Sequence, residues 1–377
     1  MLPVNTFRIL HVIAPGPIAG AEKSVLASVQ ALKLAGYSVE LAVIRETRNP
    51  DCAEEFVQFA SLLGVETKLF STGKRLDLSL AYKLKEFILS EGFNVVHSHD
   101  YKALLHLAFF RSDIPALLAT YHGATSHTIT VQLYEFVERV LFQMTDCIFA
   151  VSEGARKTLE SRGSFNAPIA IVPNFVPNLK IDGRRTRNPS RDALQLLFLG
   201  RLSYEKGLDI LLAAVAMIAD QPVFLNVVGD GPQRSSLMGM AESLNIAHKV
   251  RFFGFQRDVV KYLEDADVLV MPSRTEAMPM ALIEASTLGI PVIASAVGGI
   301  PEIVTSFENG VLVPPSEPSS LKDAIMTVQK ELSAFKCRAE QKASSISERY
   351  SATGWVRSAV CEYAKVLQFP TPSDMTE

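Results

Sequence analysis

The segment Ser273–Gly299, SRTEAMPMALIEASTLGIPVIASAVGG, carries the densest set of side chains able to do chemistry in this chain of 377 residues. Pro279 suits the first turn of a helix and Gly289 its C-terminal exit, which puts Glu276 in the loop before the helix and Glu284 within it. The backbone of Ala277, Met278, Pro279 and Met280 then forms a helix N-terminus, whose N–H groups suit an anion. A carboxylate on each side accepts hydrogen bonds from ligand hydroxyls. A nucleoside diphosphate carrying a sugar asks for that combination, donors for phosphate and acceptors for ribose and hexose. The Glu-x7-Glu spacing alone fits equally a loop glutamate and a solvated helix glutamate. A second signal is Gly200-Arg201-Leu202-Ser203-Tyr204-Glu205-Lys206-Gly207, between a strand and the helix Leu208–Ala219. Arg201 and Lys206 at that helix N-terminus could neutralise a departing diphosphate without a metal. They could also be surface charges, although surface charges need no glycine framing.

Two other motifs invite rival chemistry. Gly229-Asp230-Gly231-Pro232 resembles half of a dinucleotide fingerprint, but Arg234 stands at the third glycine position. The next strand, Val250–Phe253, does not end in the acidic residue that would hold a nicotinamide ribose. The simpler reading is a tight strand-to-helix turn lining a nucleotide site. His97-x-His99-Asp100 could ligate zinc, with His122 as a further ligand. Residues i and i+2 point the same way only while a strand continues, and this strand ends there. A polar loop of the acceptor cleft is therefore expected, with no metal. His11, His106 and Phe109–Phe110 read as packing.

These motifs are positioned by a repeating strand–helix rhythm. The first half carries strands at Phe7–Ala14, Ser38–Ile44, Val65–Phe70, Asn94–Ser98, Ala116–Tyr121, Asp146–Val151 and Ile169–Val172. The second has them at Gln195–Leu199, Val223–Val228, Val250–Phe253, Val268–Met271, Val292–Ala294 and Val311–Val313. Runs this apolar are buried on both faces, as in parallel sheets covered by helices, so the fold class is α/β, doubly wound and twice over. Pro173–Arg191 reads as a linker, giving domains over 1–180 and 187–354, with ligand loops of two facing sheets around one cleft. From about Pro370 the chain reads as disordered. A hydrophobic content of 48% with 20% charged residues excludes a disordered protein, and a net charge of −3 argues against nucleic acid. The four cysteines form no CxxC, and neither a signal peptide nor a spanning segment is read from the sequence. A reducing, cytoplasmic location is expected.

In this order and spacing the motifs resemble the GT-B retaining glycosyltransferases of family 4, also called glycosyl transferases group 1. The likeness is most specific over Leu196–Pro314 and includes Gly298-Gly299-Ile300-Pro301-Glu302 and Asn309-Gly310. The resemblance implies two Rossmann-like domains facing a cleft, with a helix at about 355–370 packing back on the first. It implies that Arg201 and Lys206 bind the diphosphate, Glu276 contacts the donor sugar and Glu284 the ribose, with Gly200, Gly229 and Gly231 lining the donor site. Gly20 falls where the family has a glycine pair before Glu22, with Ala19 replacing the other; Ala277 stands where glycine is usual after the first glutamate. Tyr121-His122-Gly123 matches a His-Gly whose histidine faces the donor sugar. The implied activity is hexosyl transfer with retention, from a nucleotide-diphosphate sugar to a glycan or lipid-linked acceptor, without metal or other cofactor. Bacterial envelope, lipopolysaccharide or exopolysaccharide synthesis is the family-level setting. Lys74-Arg75 and the helix with Lys83 and Lys85 would allow peripheral contact with the anionic inner face of a membrane. Two rivals are a sugar-nucleotide 2-epimerase of similar architecture and a non-catalytic sugar-nucleotide-binding partner subunit.

Overall fold

Every apolar run expected to be a strand is one. A computed structural model describes residues 7–48, 50–123, 129–177 and 193–368. The chain runs β1 (Arg8–Ile13), α1 (Gly20–Leu34), β2 (Ser38–Glu46), α2 (Asp51–Leu62), β3 (Thr67–Thr72), α3 (Leu78–Glu91), β4 (Val95–Ser98), α4 (Tyr101–Ala108), β5 (Ala116–Tyr121), α5 (Ile129–Phe142), β6 (Cys147–Ala150), α6 (Glu153–Glu160) and β7 (Ile169–Ile171). It continues through β8 (Leu194–Leu199), α7 (Leu208–Ala216), β9 (Val223–Val228), α8 (Arg234–Ser243), β10 (Val250–Gly254), α9 (Val260–Asp265), β11 (Val268–Met271), α10 (Met280–Thr287), β12 (Val292–Ser295), α11 (Ile300–Phe307), β13 (Gly310–Val313), α12 (Pro318–Lys330), α13 (Leu332–Arg349) and α14 (Ala352–Val366).

The first seven strands form one parallel sheet in the order β3-β2-β1-β4-β5-β6-β7, and the other six form a second in the order β10-β9-β8-β11-β12-β13. Each sheet starts at its middle and grows outward both ways. The chain therefore leaves β1 and β4, and likewise β8 and β11, in opposite directions, which opens a crevice beyond their carboxyl ends. Two compact units result: Met1–Pro177 with Ser351–Glu377, and Asn178–Tyr350. Residues 351–354, assigned to the second half from sequence, lie in the first unit because Ser351 already caps α14, accepting from Gly354 N at 3.1 Å. Most of the expected linker and the C-terminal tail from Pro370 lie outside the described residues.

Helix α1 shows how the sequence builds these layers. Val25, Leu26, Val29 and Leu32 recur at helical spacing and are buried, each contributing roughly 1.5–3 kcal/mol when fully covered. Gly36, at φ 87°, ends the helix. Helix α14 buries Trp355, Val356, Ala359, Val360, Tyr363 and Ala364 in the same core, which ties the end of the chain to the first unit. No helix of the described residues is long and apolar enough to cross a membrane.

Candidate active site

In the second unit the two strongest sequence signals meet. The loop after β8 carries Arg201 and Lys206, and the loop after β11 carries Glu276. Lys206 Nζ donates to Glu276 Oε1 at 2.6 Å, and Ser273 Oγ donates to the same oxygen at 2.9 Å. The Glu276 side chain is 7% exposed and that of Lys206 27%, so the pair is partly shielded from water. Arg274 binds the two loops together. Its guanidinium makes a bidentate pair with Asp209 at 2.9 and 2.6 Å, donates to Tyr204 O and lies 4.1 Å from the Tyr204 ring. Its own N–H donates to Glu205 O at 2.8 Å. Arg201 is exposed, and no side-chain partner for it occurs among the described residues. Glu284 is half-buried on α10.

Glycines set how closely these loops approach. At Gly229, φ 137°, a Cβ would lie 1.9 Å from Gly200 O, so only glycine lets the turn after β9 lie on the turn after β8. At Gly298, φ 55°, a Cβ would lie 1.7 Å from Glu276 O, and Gly299 N donates to Ala277 O at 2.7 Å. The Glu276 backbone is thus held from behind by the turn after β12. Gly231 lies against the Leu202 backbone, whereas a Cβ at Gly200 would meet only the Phe198 ring at 3.9 Å. The tightness expected of Gly200 therefore comes from its neighbour.

The helix after β11 starts one residue later than expected. Pro279 is its N-cap, with extended ψ of 125°, and α10 begins at Met280. The Pro279 carbonyl accepts from Leu282 N at 3.1 Å. Ala277, Met278, Pro279 and Met280 are all buried, so what this segment can offer a ligand is chiefly backbone. Asp267, of the Asp-Ala-Asp before β11, holds Gln195 N at 2.9 Å and pairs with Lys336, at the end of the strand away from these loops.

The first unit gathers histidines where the sequence suggested a loop and packing. His11 and His97 are register partners on β1 and β4. His99 N donates to Val12 O, which carries the strand alternation past the end of β4. His97 and His99 consequently do face the same way, with ring centroids 4.5 Å apart, contrary to the expectation that the strand's end would separate them. The zinc set drawn from sequence is also corrected. Asp100 caps α4, accepting from Lys102 N and Ala103 N at 2.8 and 3.0 Å, and from Ala14 N at 2.6 Å. Its place is taken by His11, so the group with ligand atoms within 4.8 Å of one another is His11, His97 and His99.

Their hydrogen bonds argue against a cation there. His97 spends Nδ1 on Tyr363 OH at 2.8 Å and Nε2 on Thr120 Oγ1 at 2.7 Å. His11 Nδ1 and His99 Nε2 are 2.7 Å apart, with centroids 4.9 Å apart and planes 18° from parallel. That separation is a hydrogen bond plus two ring radii, so the rings lie end to end and share a proton. Two imidazoles on one tetrahedral zinc need nitrogens roughly 3.3 Å apart. Burial keeps these rings neutral: it lowers His11 to about 3 and pushes His97 and His99 well down, the latter two also through their histidine neighbours.

His122 lies just past β5, with its ring centroid 5.8 Å from that of His99. Burial lowers it to about 4, and Nε2 has no hydrogen-bond partner among the described residues. Gly20 opens α1, and Glu22 beside it turns back to accept from Ala19 N at 3.1 Å and Gly16 N at 3.2 Å. Glu22 thus holds the loop after β1 in shape, half of a capping box. Sequence reasoning missed Ser273, Arg274 and Asp209. Arg274 lies two residues from Glu276, and that proximity was the available signal.

The comparisons with known proteins agree with this fold. The family Glycosyl transferases group 1 matches residues 182–342, and Glycosyltransferase Family 4 matches residues 18–178. An uncharacterized glycosyltransferase of Methanocaldococcus jannaschii is 33% identical over 276 residues, 72% of this chain and 66% of that protein. A glycogen synthase of Mycobacterium tuberculosis is 28% identical over 266 residues, 65% of this chain and 62% of that protein. The chain thus spans less than two-thirds of the length of these two relatives. Among solved structures, Anabaena HepE in complex with UDP superposes with a TM-score of 0.80 at 19% identity, covering 95% of this chain and 100% of that one. The likeness in fold extends to the lipopolysaccharide outer core galactosyltransferase WaaB, at a TM-score of 0.69 and 18% identity over 94% of this chain and 98% of that one. The motifs, the two parallel sheets and the family matches converge: the chain belongs to the glycosyl transferases of group 1, glycosyltransferase family 4, with the GT-B fold.

Proposed function

We propose that the protein transfers a hexose, with retention, from a nucleotide-diphosphate sugar to a hydroxyl of a glycan or lipid-linked acceptor, in assembly of a bacterial envelope polysaccharide or lipopolysaccharide. The observation that carries this reading is the Lys206–Glu276 pair at 2.6 Å with Arg201 exposed on the same loop, at the carboxyl ends of β8 and β11. In this reading Lys206 and Arg201 take the diphosphate, aided by backbone N–H groups at the start of α10. Glu276 orients sugar hydroxyls and favours positive charge at the anomeric carbon, while Glu284 accepts from the ribose. His122, neutral in its buried setting, hydrogen-bonds a sugar hydroxyl.

The bond from the anomeric carbon to the diphosphate oxygen breaks, and the acceptor oxygen bonds to the same face of that carbon. The acceptor proton passes to the departing phosphate oxygen, so no separate base is needed. Side-chain cations stand in for a metal at the leaving group. UDP is the nucleotide put forward first, since HepE of the same fold is seen with UDP, UDP and glucose, and UDP-glucose. A panel of UDP- and GDP-sugars tests the reading, scored by nucleotide release and by product mass with glycan and lipid-linked acceptors. An epimerase would return a rearranged donor without an acceptor, and a binding subunit would release no nucleotide. Either result would replace this proposal.

A further inference from the structure

Lys206 stands at the end of a single 3₁₀ turn, Tyr204–Lys206, between β8 and α7. None of these three residues is buried, and Tyr204 is 47% exposed. The hydrophobic core of the second unit takes in Leu202 and Leu208 on either side and nothing between them. Apolar packing therefore does not fix the turn, and its place depends on polar contacts.

Arg274 supplies such contacts on both sides of the lysine. Before it, the guanidinium donates to Tyr204 O at 2.7 Å and lies 4.1 Å from the Tyr204 ring centroid, while Arg274 N donates to Glu205 O at 2.8 Å. After it, the guanidinium holds both carboxylate oxygens of Asp209, in the first turn of α7, at 2.9 and 2.6 Å. The Arg274 side chain is 16% exposed and that of Asp209 36%, so the pair is partly screened from water. Gly207 leaves the turn little slack, since a Cβ there would lie 2.2 Å from Pro272 O. Arg274 also shares its loop with Ser273 and Glu276, which meet at the oxygen that Lys206 contacts. One planar cation thus sets the place of Lys206 relative to Glu276. A lysine at 274 would keep the charge and lose both the fork and the stack on the ring.

We infer that Arg274 is a positioning residue: by clamping Tyr204 and Asp209 it holds Lys206 where charge grows on the departing diphosphate. The inference rests on the role proposed above for Lys206, and its test separates the two. A bound diphosphate is met by Lys206 in several arrangements, whereas charge developing on one oxygen is stabilised by a cation already in place. A displacement of about 1 Å at such a group costs on the order of 100-fold in rate.

Arg274→Ala, Arg274→Lys, Asp209→Asn and Lys206→Ala are compared with wild type for kcat and KM with the working donor. Calorimetry with the free nucleotide of that donor, UDP or GDP, gives affinity and stoichiometry. Expected for Arg274→Ala is a kcat lower by about 100-fold, with affinity within about three-fold of wild type and one nucleotide bound per chain. The stoichiometry tells misplacement from unfolding, because an unfolded fraction lowers it together with kcat. Asp209→Asn should lower kcat about ten-fold and add nothing to Arg274→Ala in the double variant, as expected of partners in one clamp. Arg274→Lys should recover part of the rate, about three-fold over Arg274→Ala. Lys206→Ala should lose affinity as well as kcat, since it removes the cation itself. If Arg274→Ala does not fold, Arg274→Lys and Asp209→Asn report the same split. Near-normal kcat in the Arg274 and Asp209 variants beside a slow Lys206→Ala overturns this inference alone. So does a loss of kcat in Arg274→Lys and Asp209→Asn matched by an equal loss of stoichiometry. A near-normal rate in Lys206→Ala overturns the proposed role of Lys206, and this inference with it.

Discussion

Glu276→Gln should tighten the binding of free nucleoside diphosphate while it slows turnover. Without ligand, the Lys206 ammonium is 2.6 Å from Glu276 Oε1, and the carboxylate is almost wholly covered. A diphosphate that recruits Lys206 must displace that carboxylate, at a cost set by a charge-assisted hydrogen bond, about 1.5–3 kcal/mol. A glutamine keeps an oxygen for Lys206 and for Ser273 Oγ but removes the competing charge. Part of the cost is recovered in the variant, on the order of 1–2 kcal/mol, or roughly five- to thirty-fold in affinity. Turnover should fall about 100- to 1,000-fold, because the group that favours positive charge at the anomeric carbon is gone. Calorimetry of UDP and GDP on wild type and variant measures the first effect, and nucleotide release from the working donor measures the second. A folded Glu276→Gln protein that binds nucleoside diphosphate no more tightly than wild type would show that Lys206 is not the diphosphate's cation, or that the pair does not open on binding.

Lys206→Ala should cost about 2–4 kcal/mol in the chemical step, the scale for losing one charge-stabilising donor; a near-normal rate would remove Lys206 from the mechanism. Glu284→Ala should weaken free-nucleotide binding in calorimetry, the opposite direction to Glu276→Gln, and the same change in both variants would refute the division of roles. Turnover should survive chelator, since Arg201 and Lys206 supply the charge; activity lost in chelator and restored by Mg²⁺ or Mn²⁺ would count against it. Acid should weaken the first unit before the second, because folding holds His11 at about 3 and His122 at about 4, below the ordinary 6.5, with His97 and His99 also lowered. Unfolded imidazoles take up protons below that pH while the folded ones do not. Stability is therefore complete above it and declines as pH falls, by up to about 1.4 kcal/mol per pH unit for each ring, partly offset where Glu22 and Asp100, raised by burial, gain protons in the fold. Melts followed from neutral pH downward check this, and a midpoint independent of pH would refute it.

How far the sequence could be read follows from whether a feature is local. The strands were legible because buried parallel strands are apolar along their whole length, as in Val268–Met271. Lys206 and Glu276 were legible because each lies in a short loop directly after such a strand, the first framed by Gly200 and Gly207 and the second closed by Pro279 at the start of a helix. Arg274–Asp209 was not, since 65 positions separate the partners and neither is framed by a motif. The histidines failed for a related reason. His11 pairs with His97 through the register of two strands far apart in sequence, and one backbone hydrogen bond past β4 decides that His99 joins them.

The departures from the family pattern gain a physical meaning from the same geometry. Ala277 puts a methyl where glycine is usual, beside the carbonyl of Glu276. That carbonyl is backed by Gly298 with no room for even a Cβ between them, and Ala277 O is held by Gly299 N at 2.7 Å. The backbone therefore cannot retreat to make space for the methyl. Ala277 is only 8% exposed, so the methyl is taken up mostly within the protein and little of it can reach a ligand. At α1 the lost glycine is Ala19, whose N–H is held by Glu22 in an extended conformation that any residue adopts, with φ −137° and ψ −163°. Both substitutions are thus compatible with loops of the family shape. Polar capacity to meet a ligand is left instead on His122, whose Nε2 has no hydrogen-bond partner among the described residues, and on the exposed Arg201.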